Sequence, residues 1–306
     1  MVQSKKIVLC GCTESMFDVA NHLLENNIKI SQFVSLNKNQ AKRYLVSDYK
    51  SFEKLSKKFK IPIYFPKSYS LKENEDAQFF EKNQFDLMVV GGWQRLIPQK
   101  ILETLKIGSL GIHGSPELLP KGRGRSTVNW SIIEGKKKFI LHVFFMTPGI
   151  DDGKIIERMT CDINGWDTCR TLYYKFTIMH KRMLENIIPR ILKKKYRVFP
   201  QVGRATYYPK RTPDDGLINW NKTSKEIHNL IRGVTKPYPG AFTFLGKRKV
   251  MIWNSQPFDS KIKYSKAKNG EIVEKFANGD FIVKCKSNTI MITEYDGQVK
   301  NGQIFV

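Results

Sequence analysis

Lys5-Lys6-Ile7-Val8-Leu9-Cys10-Gly11-Cys12-Thr13-Glu14-Ser15-Met16 decides the fold class. Residues 5–10 are an apolar, β-branched run that predicts a strand. Gly11 turns the chain, residues 13–15 are polar, and a helical pattern occupies residues 16–26. A second strand is expected over residues 28–36. Strand, glycine turn, helix, strand is a βαβ opening and points to an α/β fold. A dinucleotide fingerprint needs three spaced glycines and an acidic residue ~20 positions on. Gly11 stands without those partners, which disfavours NAD.

Outward from that opening, helices are expected over 51–60, 76–83, 98–106 and 126–135, and strands over 62–64, 86–90 and 140–146. Residues 168–193 are long and amphipathic, a helix that closes the first domain. Residues 108–125 are dense in glycine and proline and are expected as a loop system after a short strand. After Lys195 the texture changes. Residues 196–216 are extended and lack periodicity, and beyond them come one short helix, Ser224 to Arg232, and five short β-type runs. Asn278-Gly279-Asp280 between two of these runs signals a hairpin. The expected organisation is an α/β domain over 1–195, a linker over 196–216 and a mostly-β, OB-like barrel over 217–306.

Composition excludes several classes. The chain has 306 residues, 41% apolar and 26% charged, enough to bury a core, so disorder is not its main state. No apolar run reaches the ~18–20 residues of a membrane span. The stretch Met1 to Lys6 leads into an apolar run too short for a signal peptide, so a cytoplasmic protein without membrane insertion is expected. Five scattered cysteines, none at CxxC spacing, indicate neither a zinc ribbon nor a disulfide framework, and Cys10 and Cys12 read as small buried apolar residues. The net charge is +24, from 52 Lys and Arg against 28 Asp and Glu. Nucleic acid, an anionic surface or an anionic substrate fits that charge, and so does a Lys-rich composition without a partner.

Chemistry is expected at strand ends. His113 in Gly-Ile-His-Gly-Ser and Asp151 in Pro-Gly-Ile-Asp-Asp-Gly are the candidates for an acid–base pair, the aspartate orienting or charging the imidazole. A lone histidine flanked by glycines also fits a structural role. His142, on an apolar strand, reads as a satisfied core residue, while His22, His180 and His228 have no chemical company in the sequence.

Taken together, Ile112-His113-Gly114-Ser115, Leu119-Pro120, Arg123-Gly124 and Ile150-Asp151-Asp152-Gly153 resemble the folate-dependent formyltransferase family. That family carries Asn-x-His-x-Ser, then Leu-Pro, a basic residue and Arg-Gly, then Leu/Ile-Asp-x-Gly. The combination is specific, although none of its pieces is. Residues 206–240, with Thr-Tyr-Tyr-Pro-Lys-Arg-Thr-Pro-Asp-Asp-Gly-Leu-Ile-Asn-Trp and later Ile-His-Asn-Leu-Ile-Arg and Pro-Tyr-Pro-Gly, resemble the sugar-nucleotide branch more than the tRNA branch. The resemblance spans most of residues 5–255.

It implies a Rossmann-like core and formyl transfer from 10-formyltetrahydrofolate to the amine of a nucleotide-linked amino sugar, a 4-amino sugar favoured, without a metal. His113 is then expected at the developing oxyanion and in proton transfer, with Asp151 hydrogen-bonded to it. The pterin is expected against Trp93, Arg95 and the backbone of Leu96 and Ile97, with Thr147, Gly149 and Ile150 lining its other side; a plain strand-to-helix connection with a packed Trp93 fits equally. Ser115, Lys121, Arg123 and Arg125 are expected at the substrate, where guanidinium forks suit a pyrophosphate. The bland reading is a solvated basic loop. Tyr207 and Arg211 are expected at the sugar or base, or packing a domain junction. Sugar formyltransferases are often dimers, but no long exposed apolar stripe names an interface.

One departure matters. The family's Asn, two residues before the histidine, is Gly111 here, and residues 102–116 contain no Asn at all. Losing one oxyanion donor typically costs ~10²–10³ in rate. A backbone N–H or water replaces the amide, or Asn129 or Ser115 reaches in, or the enzyme is altered. Formylation of methionyl-tRNA is the alternative function favoured by charge. A non-catalytic ligand-binding homologue is the alternative favoured by Gly111.

Overall fold

The computed structural model describes residues 5–306, so the expectation drawn from Met1 to Ser4 lies outside the described residues. In chain order it begins β1 (Ile7–Cys10), α1 (Glu14–Glu25), β2 (Gln32–Val34), α2 (Lys38–Arg43), α3 (Glu53–Phe59), β3 (Ile63–Tyr64), α4 (Asn74–Asn83) and β4 (Leu87–Val90). There follow α5 (Gln99–Leu102), β5 (Gly108–Ser115), β6 (Arg123–Gly124), α6 (Thr127–Ile133), β7 (Lys138–Phe145), β8 (Ile155–Asp162) and α7 (Cys169–Leu192). The remainder is β9 (Tyr207–Tyr208), a 3-10 turn at Pro213–Gly216, α8 (Ser224–Val234), β10 (Ala241–Leu245), β11 (Arg248–Pro257), β12 (Ile272–Lys275), β13 (Phe281–Lys284) and β14 (Thr289–Asp296).

Two compact units emerge. The first runs through Gly124 and adds Ile140–Cys161 and Tyr173–Tyr207; the second is Arg125–Phe139, Asp162–Leu172 and Tyr208–Val306. Residues 125–139 and 162–172 fall inside the expected 1–195 domain yet group with the second unit. Their partners explain this: Asn129 Nδ2 donates to Gly233 O at 2.7 Å, and Arg232 Nη1 donates to Asn164 O at 3.0 Å.

The first unit is built on a seven-stranded sheet ordered β3-β2-β1-β4-β5-β7-β8. Pairings from β3 through β5 are parallel, and β5 pairs antiparallel with β7. β1 and β4 are buried along their whole length, as expected for apolar strands covered on both faces. Thr13 caps α1 by accepting from Met16 N. The strand order reverses between β1 and β4, where open α/β sheets place ligands beyond the carboxyl ends. At those ends only glycine fits at 11, because a Cβ there would lie 2.5 Å from Gly91 O.

Three sequence expectations need correction. The segment 108–125 is a strand, not a loop, for its first eight residues. Gly108, Gly111 and Gly114 break the alternation that marks a strand, while side chains of Phe144 and Phe145 occupy the space over Gly111 and Gly108. The helix expected over 98–106 stops at Leu102, because Lys106 N and Ile107 N donate to Phe85 O and Asp86 O and pull the chain into the sheet. β8 was not anticipated, since Ile155 to Asp162 at the sheet edge alternates with charged residues and reads as surface.

In the second unit the antiparallel sheet is ordered β10-β11-β14-β13-β12. Its two edges are both met by the chain end. Phe244 N donates to Val306 O and Val306 N to Phe244 O, while Ile272 N donates to Gln303 O and Phe305 N to Gly270 O. Tail residues thereby cover both edge strands, as in small closed sheets. Ile227 and Ile231 of α8 pack with Val250, Ile252, Phe281, Ile290 and Ile292 in its core. A Thr223/Glu226 capping box starts α8. Asn278-Gly279 turns between β12 and β13 with Gly279 at φ +98°.

Cys10 and Cys12 are buried as expected, and burial pushes Cys12 up to about 11. Among the described residues no helix is long and apolar enough to cross a membrane, and no three His, Cys, Asp or Glu side chains gather as a metal site.

His180 on α7 is 2% exposed, its Nε2 has no partner, and burial lowers it to about 3. A base whose folded value lies below its unfolded value binds its proton only in the unfolded chain. Stability is therefore lost as pH falls from about 6.5 toward 3. We expect His180→Leu to be neutral or stabilising at pH 7, since it removes an unsatisfied buried polar atom. It should also flatten the decline in melting temperature between pH 7 and pH 5. An unchanged decline in a circular-dichroism series would assign the acid sensitivity elsewhere.

Candidate active site

β5 carries His113 beside its cross-strand partner His142 on β7. His113 is 7% exposed. Its Nδ1 lies 3.4 Å from Asp151 Oδ2, and its Nε2 lies 2.7 Å from Gly122 O. Both neighbours are acceptors. A neutral imidazole has one N–H and serves one of them; the doubly protonated ring serves both.

The two acids of the 147–153 turn are separated by this geometry. Asp151 faces His113 and also accepts from Gly124 N at 3.1 Å. Asp152 accepts from the Thr147 hydroxyl and lies where a Cβ on Gly149 would be, so it holds the turn's own shape. Gly153 is required because a Cβ there would overlap Phe145 O, at 1.5 Å. Asp151 adopts φ +49°. A left-handed non-glycine residue costs about 1–2 kcal/mol, and aspartate tolerates it better than most. That strain is held by the contacts around it.

The segment after β5 wraps the histidine. Ser115 is fully buried and donates to Lys121 O at 2.9 Å, and Glu117 N donates back to Ser115 Oγ. Its hydroxyl closes the 115–121 turn, which leaves it no surface for the expected substrate contact. His142 also belongs to this arrangement and not only to the core. Its Nε2 accepts from Leu119 N at 3.5 Å, its Nδ1 lies 3.4 Å from His113 O, and burial lowers it to about 4, so it is neutral at pH 7. Gly122 and Gly124 sit at φ +75° and +99°, and Thr206 Oγ1 accepts from Gly122 N at 2.9 Å. Arg123 donates from Nε and Nη2 to Gln201 Oε1 and from Nη1 to Tyr207 Oη, all neutral acceptors. Tyr207 is 56% exposed. Lys121 is exposed, 3.9 Å from Glu117.

Gly111 has a definite packing reason. It pairs with Phe144 across the ladder, and a Cβ would lie 2.8 Å from Met146 Cγ and 2.9 Å from the Phe144 ring. The space a side chain needs at 111 is filled by these two residues.

Near the carboxyl end of β4, Trp93 is buried edge-on against Tyr69, ring centroids 4.7 Å apart. It packs as a core residue, and its Nε1 has no protein partner. Tyr69 Oη accepts from Gln94 N, and Arg95 lies 4.7 Å over the Tyr69 ring. Ile97 is buried, whereas Leu96 and Ile150 are half exposed.

Three predicted residues belong to the second unit. Asn129 is 3% exposed and donates an amide hydrogen to Gly233 O, a bond that ties α6 to α8. Arg125 N donates to Tyr208 O. Arg211 donates to Asp215 O and lies 4.9 Å over Trp130, and burial lowers its guanidinium from the ordinary value. Trp130 stacks on Tyr208 at 6.2 Å. Sequence reasoning missed Trp130, which reads as one more apolar residue of a helix, and Gln201, which lies in a stretch without periodicity.

Comparison with known proteins agrees with this architecture. The chain is 35% identical over 245 residues to the bifunctional polymyxin resistance protein ArnA of Wigglesworthia glossinidia brevipalpis, a match covering 80% of this chain and 36% of that protein. The chain thus spans about a third of that relative's length. Among solved structures it resembles the N-formyltransferase of Helicobacter canadensis in complex with folinic acid and dTDP-3-aminofucose. That likeness has a TM-score of 0.71 at 23% identity and covers 96% of this chain and all of that one. Methionyl-tRNA formyltransferase from Clostridium thermocellum matches with a TM-score of 0.56 at 21% identity, over 83% of this chain and 93% of that one. The Formyl transferase domain matches residues 5–188 and the Formyl transferase C-terminal domain residues 210–303, and on these two matches the chain belongs to the formyl transferase family.

Proposed function

We propose that the protein transfers a formyl group from 10-formyltetrahydrofolate to the amine of a nucleotide-linked amino sugar. The observation that carries this reading is the His113–Asp151 contact beneath the 121–124 segment. The 35% identity to ArnA and the likeness to a sugar N-formyltransferase support the substrate class. The resemblance of residues 206–240 favours a 4-amino sugar, while the Helicobacter canadensis structure holds a 3-amino sugar.

The chemistry asks for proton transfer and charge stabilisation. A sugar ammonium loses a proton, its nitrogen attacks the formyl carbon, and a tetrahedral oxyanion forms. The attacking nitrogen gives up a second proton, the carbon–nitrogen bond to folate breaks as the oxyanion collapses to the formamide carbonyl, and the departing nitrogen takes up a proton. In this reading His113 Nε2 exchanges the Gly122 carbonyl for the reacting oxygen, and Gly122 and Gly124 are the points about which the backbone yields. Asp151 keeps the ring oriented and shares the proton. The Arg123 charge, met only by neutral acceptors in its hydrogen bonds, faces the nucleotide's phosphates. No side chain at 111 assists, so oxyanion support falls to His113, a backbone N–H or water.

The test is incubation of the purified chain with 10-formyltetrahydrofolate and UDP-, dTDP- and GDP-linked 3-amino and 4-amino sugars. Initiator methionyl-tRNA is the parallel substrate, and products are read by mass spectrometry. Formylation of one sugar nucleotide is the expected result. Formylation of tRNA alone would replace this reading with the tRNA one, and folate binding without turnover on any substrate would make the chain a binding homologue.

A further inference from the structure

We propose that Gln201 is a positioning residue for formyl transfer, clamping the Asp151 turn to Arg123; this rests on the reading of the site given above. One carboxamide makes four contacts, two to Arg123 and two to the 151–153 turn. Oε1 accepts from Arg123 Nε at 3.2 Å and Nη2 at 2.7 Å. Nε2 donates to Asp151 O at 2.8 Å and Gly153 O at 2.9 Å. A guanidinium only donates and carbonyls only accept, so one of the two amide orientations satisfies all four contacts and the flipped one satisfies none.

The device suits what it holds. Asp151 stands at φ +49°, a conformation that persists only where neighbours over-determine it. Gln201 grips its carbonyl while Gly124 N grips its carboxylate, so backbone and side chain are fixed from opposite ends. Gln201 is itself anchored. Two residues before it, Phe199 exchanges backbone hydrogen bonds of 2.8 Å with Ile155. Five residues after it, Thr206 O accepts from Arg123 N and its hydroxyl accepts from Gly122 N. Residues 199–206 therefore form a strap whose ends grip β8 and the 121–124 segment, with Gln201 as the cross-link between the acid and the cation.

Two variants separate the arms. Gln201→Glu keeps an acceptor for Arg123 but loses both N–H donors and turns an oxygen toward two carbonyls. Gln201→Ala loses both arms. On a sugar nucleotide that the wild type formylates, we expect Gln201→Glu to lower kcat about 30–100-fold, the scale of a small misplacement of a reacting group. Its KM for that nucleotide should stay within about threefold, the signature of an interaction felt only in the transition state. Gln201→Ala should lower kcat similarly and raise KM, because Arg123 loses its brace.

Hydrogen exchange at the Gly124 amide supplies a readout independent of turnover. It should quicken at least about tenfold in both variants while the amides of β4 stay protected, a local and not a global opening. Wild-type kcat in Gln201→Glu, unchanged Gly124 exchange, or acceleration equal to that of β4 would each overturn the proposal. If the wild type formylates nothing in the panel, the functional reading falls, and Gly124 exchange still decides whether Gln201 holds the Asp151 turn.

Discussion

His113→Ala should abolish formyl transfer, with a ~10³–10⁴-fold loss of kcat if the ring serves both proton transfer and the oxyanion. The ring is buried between Asp151 and Gly122 O, and its removal leaves that carbonyl without its donor. A modest loss of stability, about 1–3 kcal/mol, accompanies the change, so activity is to be normalised to folded protein by circular dichroism. The two adjacent acids give the internal control. Asp151→Asn keeps an oxygen for Gly124 N but removes the charge beside the imidazole, and about a 10²-fold loss of kcat is expected. Asp152→Asn alters only the turn contact with Thr147 and should stay near wild type. Equal losses from the two acids would deny Asp151 its special place.

Gly111→Asn, the change that would restore the family residue, should damage the protein rather than improve it. Its Cβ would lie within 2.9 Å of both the Phe144 ring and Met146 Cγ. Overpacking there adds to the cost of burying an amide without a designed partner, roughly 3 kcal/mol together. That corresponds to about 6–12 °C in Tm on the scaling for domains of this size. The space beside Gly111 is occupied by Phe144 and Met146, so the three residues share one volume. Phe144→Ala is expected to relieve part of the Gly111→Asn penalty, so the double variant should be less destabilised than the sum of the singles. Strict additivity in thermal melts, or a wild-type Tm for Gly111→Asn, would separate the glycine from its two neighbours.

The elements with strong local signals were legible. Ile7–Cys10 and Leu87–Val90 are apolar through their whole length, and they are the buried centre of the sheet. Thr223 and Glu226 announce α8, and Asn278-Gly279 announces its hairpin, because capping and turn chemistry act within a few residues. His113 and Asp151 were legible as a pair only through the motif that contains them, although their contact spans 38 positions of chain.

What escaped the sequence was decided by distant neighbours. β5 was hidden because its glycines owe their place to Phe144 and Phe145 on another strand. Ser115 and Asn129 have the functional groups of site residues, yet the Ser115 hydroxyl bonds Lys121 O and the Asn129 amide bonds Gly233 O. His142 looked like core and stands behind His113; Gln201 looked like linker and joins Arg123 to Asp151. By itself the sequence determined the α/β opening and the change to β texture after Lys195, and it singled out His113 and Asp151, which the structure brings into contact, since periodicity, turn residues and motif spacing are local. Only the tertiary structure decided which polar side chains remain available at that pair. A hydrogen-bonding group has few valences, and the partners that fill them come from segments far apart in the chain.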